Sequence, residues 1–264
     1  IFMNYSNNIK ISNREKNKAF KKWKENFFFK KTAKILIDKV LEIKSEFQNI
    51  LLLTSDFNET IRELSSIKYK NLIYFSEYDF LSTSFFKNAR FHKVYGEFEN
   101  IPLKKNNFDL VICNFSLNRV QSKKRILNDL FDLLSDDGLF ICNLFGEKTF
   151  YELKSSFIEA DEFFFNGSFT RMPKNIGMTE FTNLLIENGF SEVVTEVINF
   201  ELFYKNIITI LKDIRDAGEN QIFTKNIKPI SKGYLNYLEK IYNKKFKLRA
   251  TLDIISSSCW KQKK

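Results

Sequence analysis

A chain of 264 residues, 44% apolar and 28% charged, can bury one sizeable core. No apolar run approaches the roughly 18 residues needed to cross a bilayer, and the first residues hold no long apolar stretch of the secretory kind. The net charge of +10 admits an RNA or anionic-membrane partner, but the lysines are spread along the chain and no RNA-binding motif accompanies them, so nucleic acid rests on net charge alone.

Three cysteines, Cys113, Cys142 and Cys259, sit in apolar runs without metal-type spacing, and the sole histidine is His92. That set argues for reduced core thiols in a cytosol-like compartment, and against a His/Cys metal site or a Ser-His triad.

Phe29, Ala33, Leu36, Val40 and Ile43 recur at intervals of four and three, which predicts a helix over 16–45. Apolar Ile50–Leu53 then predicts a strand, followed by a helical stretch near 57–67. Further strands are expected at Asn71–Phe75, Lys93–Tyr95, Phe108–Phe115 and Gly138–Leu144. A helix over Ser122–Leu134 precedes the last of these, with DDG at 136–138 as the break between them. Beyond residue 146 the sequence predicts a helix over 147–161 and a loop over 163–177. Thr179 is the expected cap of a helix ending at Gly189. A strand over 191–203, helices over 206–217 and 231–243 and a final strand through ATLDIISSSCW complete the pattern. Strands alternating with helices imply an α/β fold with a mostly parallel sheet and helices on both faces, and runs such as LVIC and LFIC fit burial on both sides.

Four stretches carry a resemblance. They are GEFENIPLKKNNFDLVICNFSLNRV (96–120), FGEKTFYELKSSF (145–157), DIRDAGENQIF (213–223) and YLEKIYNKKFKLRATLDIISSSCW (237–260). In that order they resemble the class I S-adenosylmethionine (SAM)-dependent methyltransferases, a Rossmann-like fold with a seven-stranded sheet. Within them the chain is most similar to the methyltransferase-fold complex I assembly factors of mitochondria, which hydroxylate an arginine, and to their alphaproteobacterial relatives. The biotin-synthesis carrier-protein methyltransferases are more distant.

The resemblance implies an N-terminal helical extension at 1–45 and a methyltransferase-like domain at 46–264. Residues 46–145 form its cofactor half and 146–264 its substrate or partner half. It also implies a protein partner or substrate, a respiratory complex I subunit, and a bacterial cytoplasm or mitochondrial matrix as its place.

In the family the first strand ends in an acid followed by G-x-G-x-G, because bare backbone lets the cofactor approach closely. Here Leu52 stands at the acid, and Thr54, Asp56 and Asn58 at the glycines. Asp56 is open to two roles, a cofactor contact or a helix cap. Glu77 falls one residue past the expected ribose-binding acid. Glu97 stands where the family has an acid near the adenine, with Phe98 beside it as a stacking candidate. Asn114 and Phe115 close the fourth strand, and the family's LHW becomes Leu117, Asn118, Arg119. Glu147, Tyr151, Glu152, Arg215, Asp216, Glu219 and Tyr234 are candidates for a substrate cleft or for ordinary packing. No general base can be named, and no His-rich set could hold an oxygen-activating metal. The replaced glycines favour weak or lost SAM binding and a non-catalytic pseudoenzyme; the alternatives left open are an active SAM-dependent methyltransferase or arginine hydroxylase on a protein, and an RNA-modifying enzyme.

Overall fold

The computed structural model describes residues 27–56, 58–77, 90–217 and 228–262. Among them are seven helices and a seven-stranded sheet. The chain runs α1 (Phe27–Ile43), β1 (Glu46–Thr54), α2 (Glu59–Glu63), β2 (Lys68–Ser76), β3 (Phe91–Tyr95), β4 (Phe108–Asn114), α3 (Lys123–Leu133) and β5 (Leu134–Phe145). There follow α4 (Tyr151–Phe165), α5 (Met178–Glu187), β6 (Ser191–Phe203), α6 (Ile207–Asp216), α7 (Lys232–Phe246) and β7 (Arg249–Lys261). The strand order is β3-β2-β1-β4-β5-β7-β6; β1 to β5 pair in parallel and β7 lies antiparallel to β5.

Contacts divide the described chain into two units, each with its own core. The first comprises described parts of Lys24–Phe145, Ile176–Ile198 and Ile254–Lys264; the second comprises those of Gly146–Asn175 and Asn199–Asp253.

In the first unit the period of α1 turns Leu36, Ile37 and Val40 onto one sheet face. They meet Ile50, Leu52, Leu72, Leu110, Ile112, Leu139 and Ile141 there. Strand alternation sends the intervening residues to the other face, where Phe140 packs on Phe190 at 5.3 Å and Phe190 on Phe131 of α3 at 5.2 Å. Burying each such side chain stabilises by about 1.5–3 kcal/mol. Cys113, Cys142 and Cys259 are buried free thiols within β4, β5 and β7, and burial pushes all three above the usual thiol range.

The second unit packs Leu153, Phe157 and Ala160 of α4 against Ile207, Ile210 and Ile214 of α6 and Tyr234, Leu238, Ile241 and Tyr242 of α7. Two of the resembling motifs lock together in this unit. The Glu152 carboxylate accepts the Thr251 N–H (3.1 Å) and hydroxyl (2.5 Å), and the Thr149 hydroxyl donates to the Asp253 carbonyl (2.8 Å). The spacing of ELK and ATL across about a hundred residues therefore reflects one local clasp.

Three expectations need correction. DDG is not a break before β5. The strand begins at Leu134, and register jumps from Phe108↔Leu134 to Leu110↔Leu139, so Ser135–Gly138 form a bulge with Asp137 at φ 57. A Cβ on Gly138 would lie 2.8 Å from the Ser135 carbonyl, which no side chain tolerates. The cap of α5 is Gly177, and Thr179 lies within the helix. The aromatic run 163–165 belongs to α4, because these rings stack on α7. The helix expected from residue 16 is described from Phe27 onward, and its earlier residues lie outside the described set, as does Glu219.

Candidate functional site

Parallel register aligns the carboxyl ends of β1, β4 and β5. Thr54 stands beside Asn114 and Asn114 beside Asn143, and the Ser55 N–H donates to the Asn114 carbonyl (3.0 Å). This is the end at which open α/β sheets take ligands.

Thr54, Asp56 and Asn114, all expected site residues, meet here in one buried network. Asp56 is wholly buried. Its carboxylate accepts the Thr54 hydroxyl (2.5 Å), the Thr60 N–H (2.9 Å), the Thr60 hydroxyl and the Asn114 amide (2.8 Å). Burial pushes the Asp56 carboxyl up from its ordinary value, while these four donors pull it down. Since Thr60 is in the first turn of α2, Asp56 does the work of a helix cap. Asn58, the formal cap, makes no side-chain cap bond and takes a left-handed φ of 75. Asn tolerates that conformation better than most residues, which is how the turn forms without glycine.

Phe115 follows at a left-handed φ of 59. Its ring stacks on Phe145 (4.7 Å) and meets Phe29 (5.4 Å) and Phe28 (5.6 Å) from the start of α1. This four-ring cluster is the feature missed by sequence reasoning. FFF at 27–29 was visible, but not that two of its rings reach the end of β4. The Asn118 amide oxygen, at the position of the family's histidine, accepts the Phe145 N–H (2.9 Å). Five buried side-chain oxygens here, on Ser55, Asn58, Asn114, Ser116 and Asn143, have no hydrogen-bond partner among the described residues.

The other expected residues form a second group beyond β2 and β3. The Glu77 carboxylate accepts the Phe98 N–H (2.6 Å). Phe98 is buried against Phe75 (ring centroids 6.2 Å), and Glu97 is exposed. Burial raises Glu77 to about 7, opposed by the Phe98 N–H and Arg119 and reinforced by Glu97 and Glu99. A carboxyl raised on folding contributes stability that is complete below its unfolded value of 4.5 and lost as pH rises through about 7. Glu77→Gln is therefore expected to be more stable than the parent at pH 8 by about 1–2 kcal/mol, discounted for partial exposure, and to lose the advantage at pH 4. Urea denaturation at the two pH values checks this; parallel stability curves would refute it.

Of the cleft candidates, Glu152 and Tyr234 are fully buried, Glu147 and Tyr151 are exposed, and Arg215 pairs with Asp216 at 3.5 Å on the surface. No group of three or more His, Cys, Asp or Glu among the described residues could hold a metal ion, and no described helix is long and apolar enough to cross a membrane.

A methyltransferase-domain family matches residues 80–189. The RP459 protein of Rickettsia prowazekii, which bears a methyltransferase name, is 29% identical over 56% of this chain and 69% of its own. Arginine-hydroxylase NDUFAF5 of Danio rerio, a mitochondrial protein, is 28% identical over 46% of this chain but only 38% of its own, so the chain spans well under half of that relative. In fold, the chain is similar to the Haemonchus contortus phosphoethanolamine N-methyltransferase 2 solved with S-adenosylhomocysteine. That likeness has a TM-score of 0.56 and 14% identity, and covers 88% of this chain and 53% of the other. Together with the strand order, these likenesses give the chain the class I methyltransferase fold, a methyltransferase-domain match over residues 80–189, and similarity to RP459 and NDUFAF5.

Proposed function

We propose that this protein acts on a protein partner through its surface, with SAM binding weak or lost and without methyl transfer. The observation that carries this reading is the buried Asp56 network. A sulfonium ligand at this loop needs bare backbone at 54, 56 and 58 and an acceptor for its ammonium group. Instead, Thr54, Asp56 and Asn58 place buried side chains there, and the Asp56 carboxylate already takes four donors. The residues present do not fit the cofactor.

By resemblance the partner is a respiratory complex I subunit, and the protein is an assembly factor in a bacterial cytoplasm or mitochondrial matrix. A second reading is an active methyltransferase or arginine hydroxylase on a protein side chain. The five unpartnered oxygens favour it, because each leaves about 1–3 kcal/mol of desolvation uncompensated unless something polar meets it.

Thermal denaturation of the full chain with SAM or S-adenosylhomocysteine separates the two. At millimolar ligand the expected shift is below about 1 °C. A micromolar dissociation constant would instead add roughly 3–4 kcal/mol and raise the midpoint by several degrees, overturning the proposal.

A further inference from the structure

In the second unit, the last turn of α4 leaves two phenylalanines in water. Phe163 is 63% exposed and Phe164 38%. Both are held on α7. The Phe163 ring stacks on that of half-buried Tyr237, with centroids 4.4 Å apart and planes within 13°. Phe164 meets the Tyr237 ring edge-on at 5.7 Å and the buried Tyr234 ring at 5.4 Å. The rings are therefore fixed by their neighbours, with an apolar surface still turned outward.

Tyr237, Lys240 and Lys244 recur at intervals of three and four, which puts them on one stripe of α7. Lys240 and Lys244 are exposed, and neither forms an ion pair or hydrogen bond with a described residue. Lys244 stands in the last turn, where a cation suits the helix end, but Lys240 does not. Nearby acids are largely committed. Glu159 of α4 pairs with Lys245, and the Glu239 carboxylate accepts the Ile207 N–H (3.0 Å). Glu162 remains as the exposed acid on α4, while α7 carries four lysines against one acid.

The kind of cation decides the occupant. Protein interfaces are enriched in arginine and depleted in lysine, and α4 and α7 carry no arginine. Exposed aromatic rings beside lysines on flexible stems suit the boundary of an anionic bilayer, where the rings enter the headgroup layer and the ammonium groups meet phosphates. The net charge of +10 draws the whole chain toward such a surface.

We propose that this face of α4 and α7 docks the protein on an anionic lipid surface, with Phe163 and Phe164 in the headgroup layer and Lys240 and Lys244 on lipid phosphates. Docking needs neither SAM nor a protein partner, so failure of either reading of the crevice leaves it standing.

Co-sedimentation of the full chain with vesicles of phosphatidylcholine and phosphatidylglycerol in equal parts tests it, beside vesicles of phosphatidylcholine alone and a polyglutamate peptide. Binding is expected to the mixed vesicles only and to weaken with salt. Lys240→Gln/Lys244→Gln should weaken it about tenfold or more, each lysine at such a surface being worth roughly fivefold, with an unchanged urea midpoint. Lys68→Gln/Lys70→Gln, which removes the same charge from exposed positions on β2, should weaken it far less. Phe163→Ser should weaken it several-fold, and Phe163→Leu, which keeps an apolar side chain, should recover part of that loss. Three results would overturn the proposal: no binding to the mixed vesicles, equal losses in the two lysine pairs, or tight polyglutamate binding indifferent to Phe163→Ser, the mark of an acidic protein partner.

Discussion

Asp161→Ala is expected to cost about 3–5 kcal/mol, measured by urea denaturation at neutral pH. Asp161 and Arg171 form an ion pair whose side chains are 0% and 3% exposed. The Arg171 Nε donates to both carboxylate oxygens, at 2.7 and 3.0 Å. The Tyr234 hydroxyl adds a third bond to the carboxylate at 2.7 Å, and the Phe169 N–H a fourth at 3.1 Å. Burial and the Asp161 bond push the Tyr234 hydroxyl up, so it remains a donor. Around the guanidinium stand Tyr234, Phe169, Phe157 and Phe165, with centroids 5.0 to 5.9 Å away. Truncating Asp161 leaves a full positive charge in that aromatic box. The rings offset part of its desolvation, and the Lys228 carbonyl takes one Nη1 bond at 3.1 Å, but neither replaces a carboxylate. Asp161→Leu/Arg171→Met should recover more than half of the loss, since removing both charges removes the uncompensated one. A cost below about 1 kcal/mol for Asp161→Ala would mean that Arg171 swings to solvent and that the box does not hold it.

This box shows why the sequence yields the fold more readily than the interior contacts. Strands announce themselves locally: ILLL, LVIC and LFIC are apolar without a break, and each became a strand buried on both sides. Ser122, Asn206 and Ser231 cap their helices by accepting the N–H three residues on, a relation written in adjacent letters. Arg171, by contrast, sits in a segment whose Gly, Pro and Asn content correctly signals irregular backbone, and nothing nearby indicates that its charge is buried. Its partner Asp161 is ten residues back, and Tyr234 is supplied by a helix far along the chain. DDG misled for a related reason. The same residues favour a turn and a bulge, and only pairing with β4 selects the bulge. At the strand ends, the side chains of Thr54, Asp56 and Asn58 are legible in the sequence. Their consequence, a carboxylate satisfied by Thr54, Thr60 and Asn114, depends on β1 and β4 being neighbours.

Phe115→Ala is expected to cost about 3–5 kcal/mol by the same measurement, and the size of the loss bears on the crevice itself. A ring lining an open cofactor cleft would already be half in water, and its removal would cost about 1 kcal/mol. Phe115 is instead 1% exposed and packed among Phe28, Phe29 and Phe145, so truncation leaves a cavity that α1, β4 and β5 cannot easily collapse. The backbone supplies an internal control. At φ 59 alanine is strained and glycine is not, so Phe115→Gly should be the more stable of the two by up to about 1 kcal/mol, reversing the usual order. Opening this end of the crevice should not restore a SAM-dependent thermal shift, because Thr54, Asp56 and Asn58 still occupy the glycine positions. A shift that appears in Phe115→Ala would place the block in the aromatic cluster and not in the loop. A loss near 1 kcal/mol would mean that the crevice is open in the parent protein, and the closed-crevice proposal would fall with it.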